Sequence, residues 1–275
     1  MELIEFLSYG FIRRAIIAGV LIASLCSMLG VFLVLRRLSL IGDGLAHVTF
    51  GGVALGMLFK INPFYVAMPV VLLASLGILK ISEKARVFGD AAIGIVSSLG
   101  IAVGVLIAST AGGFNVDLFS FLFGNILAIS NEEVVISAVL SGGVIFSIVM
   151  LYHELLAVSF DEDLARVSGI KTDRINSLLV LLTALTVVLA MRVVGIMLVS
   201  ALLILPAAAA LNTAKGFKAA MAFSVLFGVV SVLAGIALSL VLNLPAGATI
   251  VVLNFLIFAI AFLVRKMAVR GALQA

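Results

Sequence analysis

Residues 40–56 read LIGDGLAHVTFGGVALG, and they carry Asp43 and His47 inside an otherwise apolar run. The run is long enough for a helix and too apolar for one lying on a water-facing surface. Positions four apart share a helix face, so the carboxylate and the imidazole stand one above the other. An ionisable side chain at membrane depth is costly and marks a functional site by default. A carboxylate and an imidazole side by side also offer two ligands to a divalent transition metal. The competing possibility is structural: Asp43 caps the helix near Gly42, and His47 is a satisfied core histidine.

Working outward, the whole chain has the composition of this stretch. Of 275 residues, 64% are hydrophobic and 11% charged, and the mean hydropathy is +1.40. Soluble domains run at roughly half apolar and a quarter charged, so this is the composition of an integral membrane protein. The apolar runs are helix-length, unlike the ~10-residue alternating segments of an outer-membrane barrel. The first run has neither the short core nor the small-residue cleavage site of a signal peptide, so no removed leader is expected. Cys26 is the single cysteine; it excludes an intramolecular disulfide, and a lone thiol in an apolar run is packing. The net charge of +4 carries no nucleic-acid signature, and no nucleic-acid partner is expected.

Apolar runs fall at about 15–35, 43–60, 63–81, 91–110, 132–152, 175–194, 196–213, 219–243 and 246–264. At ~20 residues per crossing they predict an all-α polytopic bundle of eight or nine transmembrane helices. Only Val194 and Gly195 separate the sixth run from the seventh, so one of that pair is expected to be broken or short. One set of alternate connections holds Arg36, Arg37, Lys80, Lys84, Arg86, Arg166, Lys171, Arg174, Lys215, Lys218, Arg265, Lys266 and Arg270. The other holds Arg13, Arg14, Lys60 and Arg192. The imbalance places the first set in the cytoplasm, with the N-terminus outside and the C-terminus inside. That orientation favours nine crossings over eight.

No connection is long enough for a soluble domain, so residues 1–275 are expected to form one transmembrane domain. The outer connection 111–131 clusters Phe114, Leu118, Phe119, Phe121, Leu122 and Phe123, as an interfacial helix or a re-entrant segment would. Gly52–Gly56 and Gly100–Gly104 are small-xxx-small pairs that let helices approach closely. The inner connection SFDEDLARVSGIKTDRIN, residues 159–176, opens with Asp161, Glu162 and Asp163, where acids favour a helix start. Leu164, Ala165 and Val167 give a small apolar face, and Gly169 ends the helix. Such a helix between two spans suits docking into a groove on a soluble partner; the alternative is a plain surface loop.

Four segments then carry a resemblance: LRRLSLIGDGLAHVTFGGVALG, LFGNILAIS, SFDEDLARVSGIKTDRIN and VVGIMLVSALLILPAAAA. In order and spacing they resemble the membrane permease subunit of the zinc/manganese ABC importers, from about Arg13 to Val264. The resemblance implies a homodimer in the type II importer arrangement, in a prokaryotic cell membrane. It implies two copies of a cytoplasmic ATPase subunit and an extracellular or periplasmic metal-binding protein. It implies that Asp43 and His47 are the metal ligands of the translocation path, with a coupling helix at about 160–171. The assigned coupling residues are Asp161, Glu162, Asp163, Leu164, Ala165 and Gly169. Manganese-type relatives tend to carry Leu-Pro-Gly after the histidine, where this chain has Thr49-Phe50-Gly51-Gly52, which tilts the expected cargo toward Zn2+, with Mn2+ next.

Two ligands per chain are too few for a tetrahedral ion, whereas a symmetric dimer would supply two Asp and two His. Such a site must also release its ion, so a transient, partly hydrated site with pH-dependent affinity is expected. No permanently bound cofactor is expected. The chain has no GxxxxGK[ST] sequence, so ATP is expected to be hydrolysed on the separate subunit and the permease is not itself an enzyme. The rival readings are a self-sufficient ion-coupled metal transporter and an intramembrane metalloprotease. For the latter, His153-Glu154 lacks its second histidine, because Ala157 stands there. Pro206 is expected to kink the seventh span, a candidate gating feature. Arg192 is read as snorkelling to the outer interface, and Asp117 as a weak lure for cations at the mouth. The nine methionines are dispersed, without a copper-like array.

Overall fold

A computed structural model describes residues 9–84, 89–110, 121–126, 129–191 and 193–274. Its helices are α1 (Gly10–Leu35), α2 (Ile41–Leu58), α3 (Pro63–Lys84), α4 (Gly89–Thr110), α5 (Asn131–Met150), α6 (Tyr152–Phe160), α7 (Glu162–Val167), α8 (Thr172–Ala190), α9 (Val199–Thr213), α10 (Phe217–Leu242) and α11 (Ala246–Gln274). Among the described residues, eight helices are long and apolar enough to cross a membrane, and α9 is a shorter apolar helix of 15 residues. The break expected around Val194-Gly195 is there. α8 stops at Ala190, Gly195 takes a φ of +91°, and one 3-10 turn, Ile196–Leu198, leads into α9.

Local chemistry sets the helix ends. Asn62 accepts from the Phe64 N–H at 3.1 Å ahead of Pro63 at the first position of α3, where its missing donor costs nothing. Ser130 and Glu133 form a reciprocal capping box at the start of α5. α1 and α2 close with paired backbone bonds of Schellman type. Arg37 and Leu38 donate to Val34 and Leu33, and Lys60 and Ile61 donate to Met57 and Gly56. Arg37 (φ +57°) and Lys60 (φ +56°) occupy the left-handed position that usually falls to glycine.

α2 is central. It packs most closely on α4 and α3, and also touches α8, α9 and the 3-10 turn. α1 lies against α10, α9 and α5, while α9, α10 and α11 form a second cluster. The small-residue pairs serve packing as expected. A Cβ on Gly100 would stand 2.8 Å from the Val48 Cα, and one on Gly52 would stand 2.7 Å from the Ala67 Cα. With lipid tails as apolar as the side chains, such close approach of backbones is what holds membrane helices together.

Of the outer Phe-rich connection, residues 111–120, including Phe114, Asp117, Leu118 and Phe119, lie outside the described residues. Its end is buried: Phe121 and Leu122 are core residues. Gly124 (φ +76°) lies against the Val194-Gly195 backbone, and Gly247 at the start of α11 meets the same Val194 carbonyl and that of Phe123. Three glycines thus let three backbones converge, with Val194 and Gly195 buried and Phe123 and Asn125 beside them exposed.

Candidate functional site

Asp43 and His47 both lie on α2, whose other residues around them are buried. The helix starts one turn earlier than a capping aspartate would require: Leu40 is the N-cap, and Asp43 is inside the first turn. The Asp43 side chain turns along the helix, and its Oδ2 lies 3.4 Å from the His47 Nε2. Its exposure is 50%, against 21% for His47, so the carboxylate is half exposed and the imidazole mostly buried. His47 Nδ1 is buried without a hydrogen-bond partner. Asp43 is therefore not the N-cap of α2, and His47 meets Asp43 through Nε2 alone.

The distance has a chemical meaning. Two ligands each ~2.1 Å from a tetrahedral ion stand ~3.4 Å apart along the tetrahedron edge. The Nε2–Oδ2 separation is of that size. Among the described residues, no group of three or more His, Cys, Asp or Glu is gathered for a metal.

At the same end of the bundle as the start of α2, the inner connection forms the short helix α7. Asp161 is its N-cap and accepts from the Leu164 N–H at 3.0 Å. Gly169 (φ +89°) ends it, with Gly169 donating to Arg166 and Ile170 to Ala165 in a second Schellman arrangement. The acids divide in function. Asp163 is exposed, whereas the Glu162 carboxylate turns back to Arg36 Nη2 at 2.9 Å and accepts from Asn176 Nδ2 at 3.0 Å. The apolar residues divide too: Ala165 is buried, while Leu164 (65%) and Val167 (87%) project outward beside exposed Phe160. Arg36 and Asn176, which hold the helix down, escaped sequence reasoning. The available signal was an arginine directly at the end of an apolar run facing an acid-rich loop.

The match to known proteins is extensive. A model described as the ABC 3 transport family covers residues 8–265. The chain belongs to that family. It is 34% identical to the manganese transport system membrane protein MntC of Halalkalibacterium halodurans, over 94% of this chain and 88% of that one. It is 30% identical to the high-affinity zinc uptake system membrane protein ZnuB of Buchnera aphidicola, over 89% and 94%. The solved structure of PsaBC from Streptococcus pneumoniae in complex with Fab aligns at a TM-score of 0.85, with 33% identity and 95% of each chain covered. The chain is therefore an all-α, multi-pass ABC transport permease, and catalysis is not its own task.

The remaining candidates of this permease fall as follows. Pro206 lies inside α9 and is buried, at depth in the helix that packs on both α1 and α2. His153 is exposed and stacks edge-on with Tyr152, a surface pair and no protease centre. Cys26 is buried and free. Arg192 lies outside the described residues.

Proposed function

We propose that the chain is the membrane half of an ATP-driven importer that carries Zn2+ or Mn2+ into a prokaryotic cell by alternating access. The observation that carries this reading is the Asp43–His47 pair, spaced at 3.4 Å like one edge of a tetrahedral ion. Two chains related by a twofold axis beside this face would complete a site of two carboxylates and two imidazoles. The half-open setting suits a transit site, which must let its ion go. The basic residues in alternate connections support an external N-terminus and a cytoplasmic C-terminus. α7 then faces the cytoplasm, where Leu164, Val167 and Phe160 of each chain offer an apolar knob to one of the two ATPase subunits, with Asp161, Asp163 and Gly169 shaping its ends. An external metal-binding protein delivers the ion.

The donor set favours zinc, and the metal named most often among the relatives is manganese. Both ions would bind the one site and compete for it. The test is uptake of Zn2+ and Mn2+ into vesicles holding the full transporter. Asp43→Ala and His47→Ala are each expected to bring uptake to background while the complex still assembles, and each ion is expected to inhibit uptake of the other. Normal uptake by both variants would remove the site assignment.

A further inference from the structure

We propose that Arg36, Glu162 and Asn176 form the clamp that carries movement of the coupling helix into the helix bearing Asp43. The inference rests on the ATPase-coupled function proposed above. Each member of the clamp touches both others. Arg36 Nη2 meets Glu162 Oε2 at 2.9 Å, Arg36 Nη1 donates to Asn176 Oδ1 at 2.6 Å, and Asn176 Nδ2 donates to Glu162 Oε1 at 3.0 Å. The three residues come from the end of α1, from α7 and from the second turn of α8, so one planar guanidinium joins three elements. A lysine could not bridge both partners in this way. Burial draws Arg36 below its ordinary value and the Glu162 carboxylate opposes that, so the charge is held by its partner and not by water.

From Arg36 the path to the site is short and stiff. The chain turns through Arg37 in the left-handed region, with the bonds Arg37 to Val34, Leu38 to Leu33 and Ile41 to Leu38 leaving little slack. Ile41 begins α2, and Asp43 lies in its first turn. A displacement of α7 that pulls Glu162 therefore tilts this elbow and the start of α2. A cavity of about 460 Å3 lies beside the clamp, lined also by Leu38, Leu79 and Val180. It gives the elbow space to move that close-packed core would deny.

The experiment measures ATP hydrolysis and Mn2+ uptake in parallel on the full transporter in vesicles, with Arg36→Gln, Glu162→Gln and Asn176→Ala in the permease. The expected result is an intact complex whose hydrolysis stays near wild type. Ions moved per ATP would fall about tenfold for the charge variants and less for Asn176→Ala, within the usual span of a coupling between sites. The paired exchange Arg36→Glu with Glu162→Arg is expected to recover part of that ratio. A wild-type ratio in Asn176→Ala and either charge variant would overturn the proposal. So would loss of the ATPase from the Glu162→Gln complex, because Glu162 would then hold the partner and not the clamp. Failure of the wild-type transporter to move Mn2+ or Zn2+ would instead strike the function on which the inference rests.

Discussion

Arg37 and Gly169 both hold a positive φ at a helix end, and they sit there at different cost. An L-residue in the left-handed region gives up about 1 kcal/mol relative to glycine. Arg37 is exposed, so Arg37→Gly is expected to raise the stability of the detergent-solubilised permease by about 0.5–1 kcal/mol, read from thermal unfolding. Gly169 has open space around it, so Gly169→Ala tests backbone conformation alone. It is expected to cost about 1 kcal/mol at the end of α7 and to weaken ATPase association, measured by co-purification. Arg36 shows the sign of a buried cation. Its pKa is lowered by burial, which disfavours the charged form in the fold, so stability from this group could only rise at strongly alkaline pH. Because an arginine stays protonated throughout the physiological range, the clamp is expected to hold unchanged across neutral pH.

At the scale of elements, α7 and the α2–α4 contact make opposite demands. α7 is a six-residue helix fixed from behind by Glu162 and Ala165, and its free face is Leu164 and Val167. Exchanging both for Asp is expected to weaken ATPase binding by about 3 kcal/mol or more, roughly a hundredfold, with the fold kept. Titration of the purified ATPase onto the permease checks this. α2 and α4 need the reverse, close contact with no side chain between. Gly100→Leu would drive a side chain into the Val48 backbone and is expected to cost about 2–3 kcal/mol, seen as loss of folded protein on gel filtration. Gly143→Leu on α5, where nothing lies within 4 Å of an added Cβ, is the matched control and is expected to be tolerated.

The molecule as a whole is two helix clusters sharing α9. α2 with α3 and α4 carries the Asp43–His47 pair, and α10 with α11 and α1 forms the other mass. α9 touches both, carries Pro206, and is entered through the break at Gly195, where three backbones meet. On the function proposed above, a permease with no nucleotide motif is expected to be inert alone. The purified chain in vesicles is expected to move no Zn2+ under a proton or sodium gradient. Uptake under either gradient would revive the ion-coupled transporter.

Much of this was legible in the chain itself. Lipid admits only helices whose apolar length matches its thickness, so run lengths set the spans. Gly195 betrayed the break, and the Asp43–His47 spacing declared one helix face. Tertiary structure alone decided what those faces meet. Arg36 and Glu162 are 126 residues apart, and no local period records that the second acid of α7 turns inward while Leu164 and Val167 face out. Periodicity is a property of neighbours along the chain. Pairing across the bundle, the orphaned His47 nitrogen and the convergence of Gly124, Gly195 and Gly247 arise only when distant segments share space.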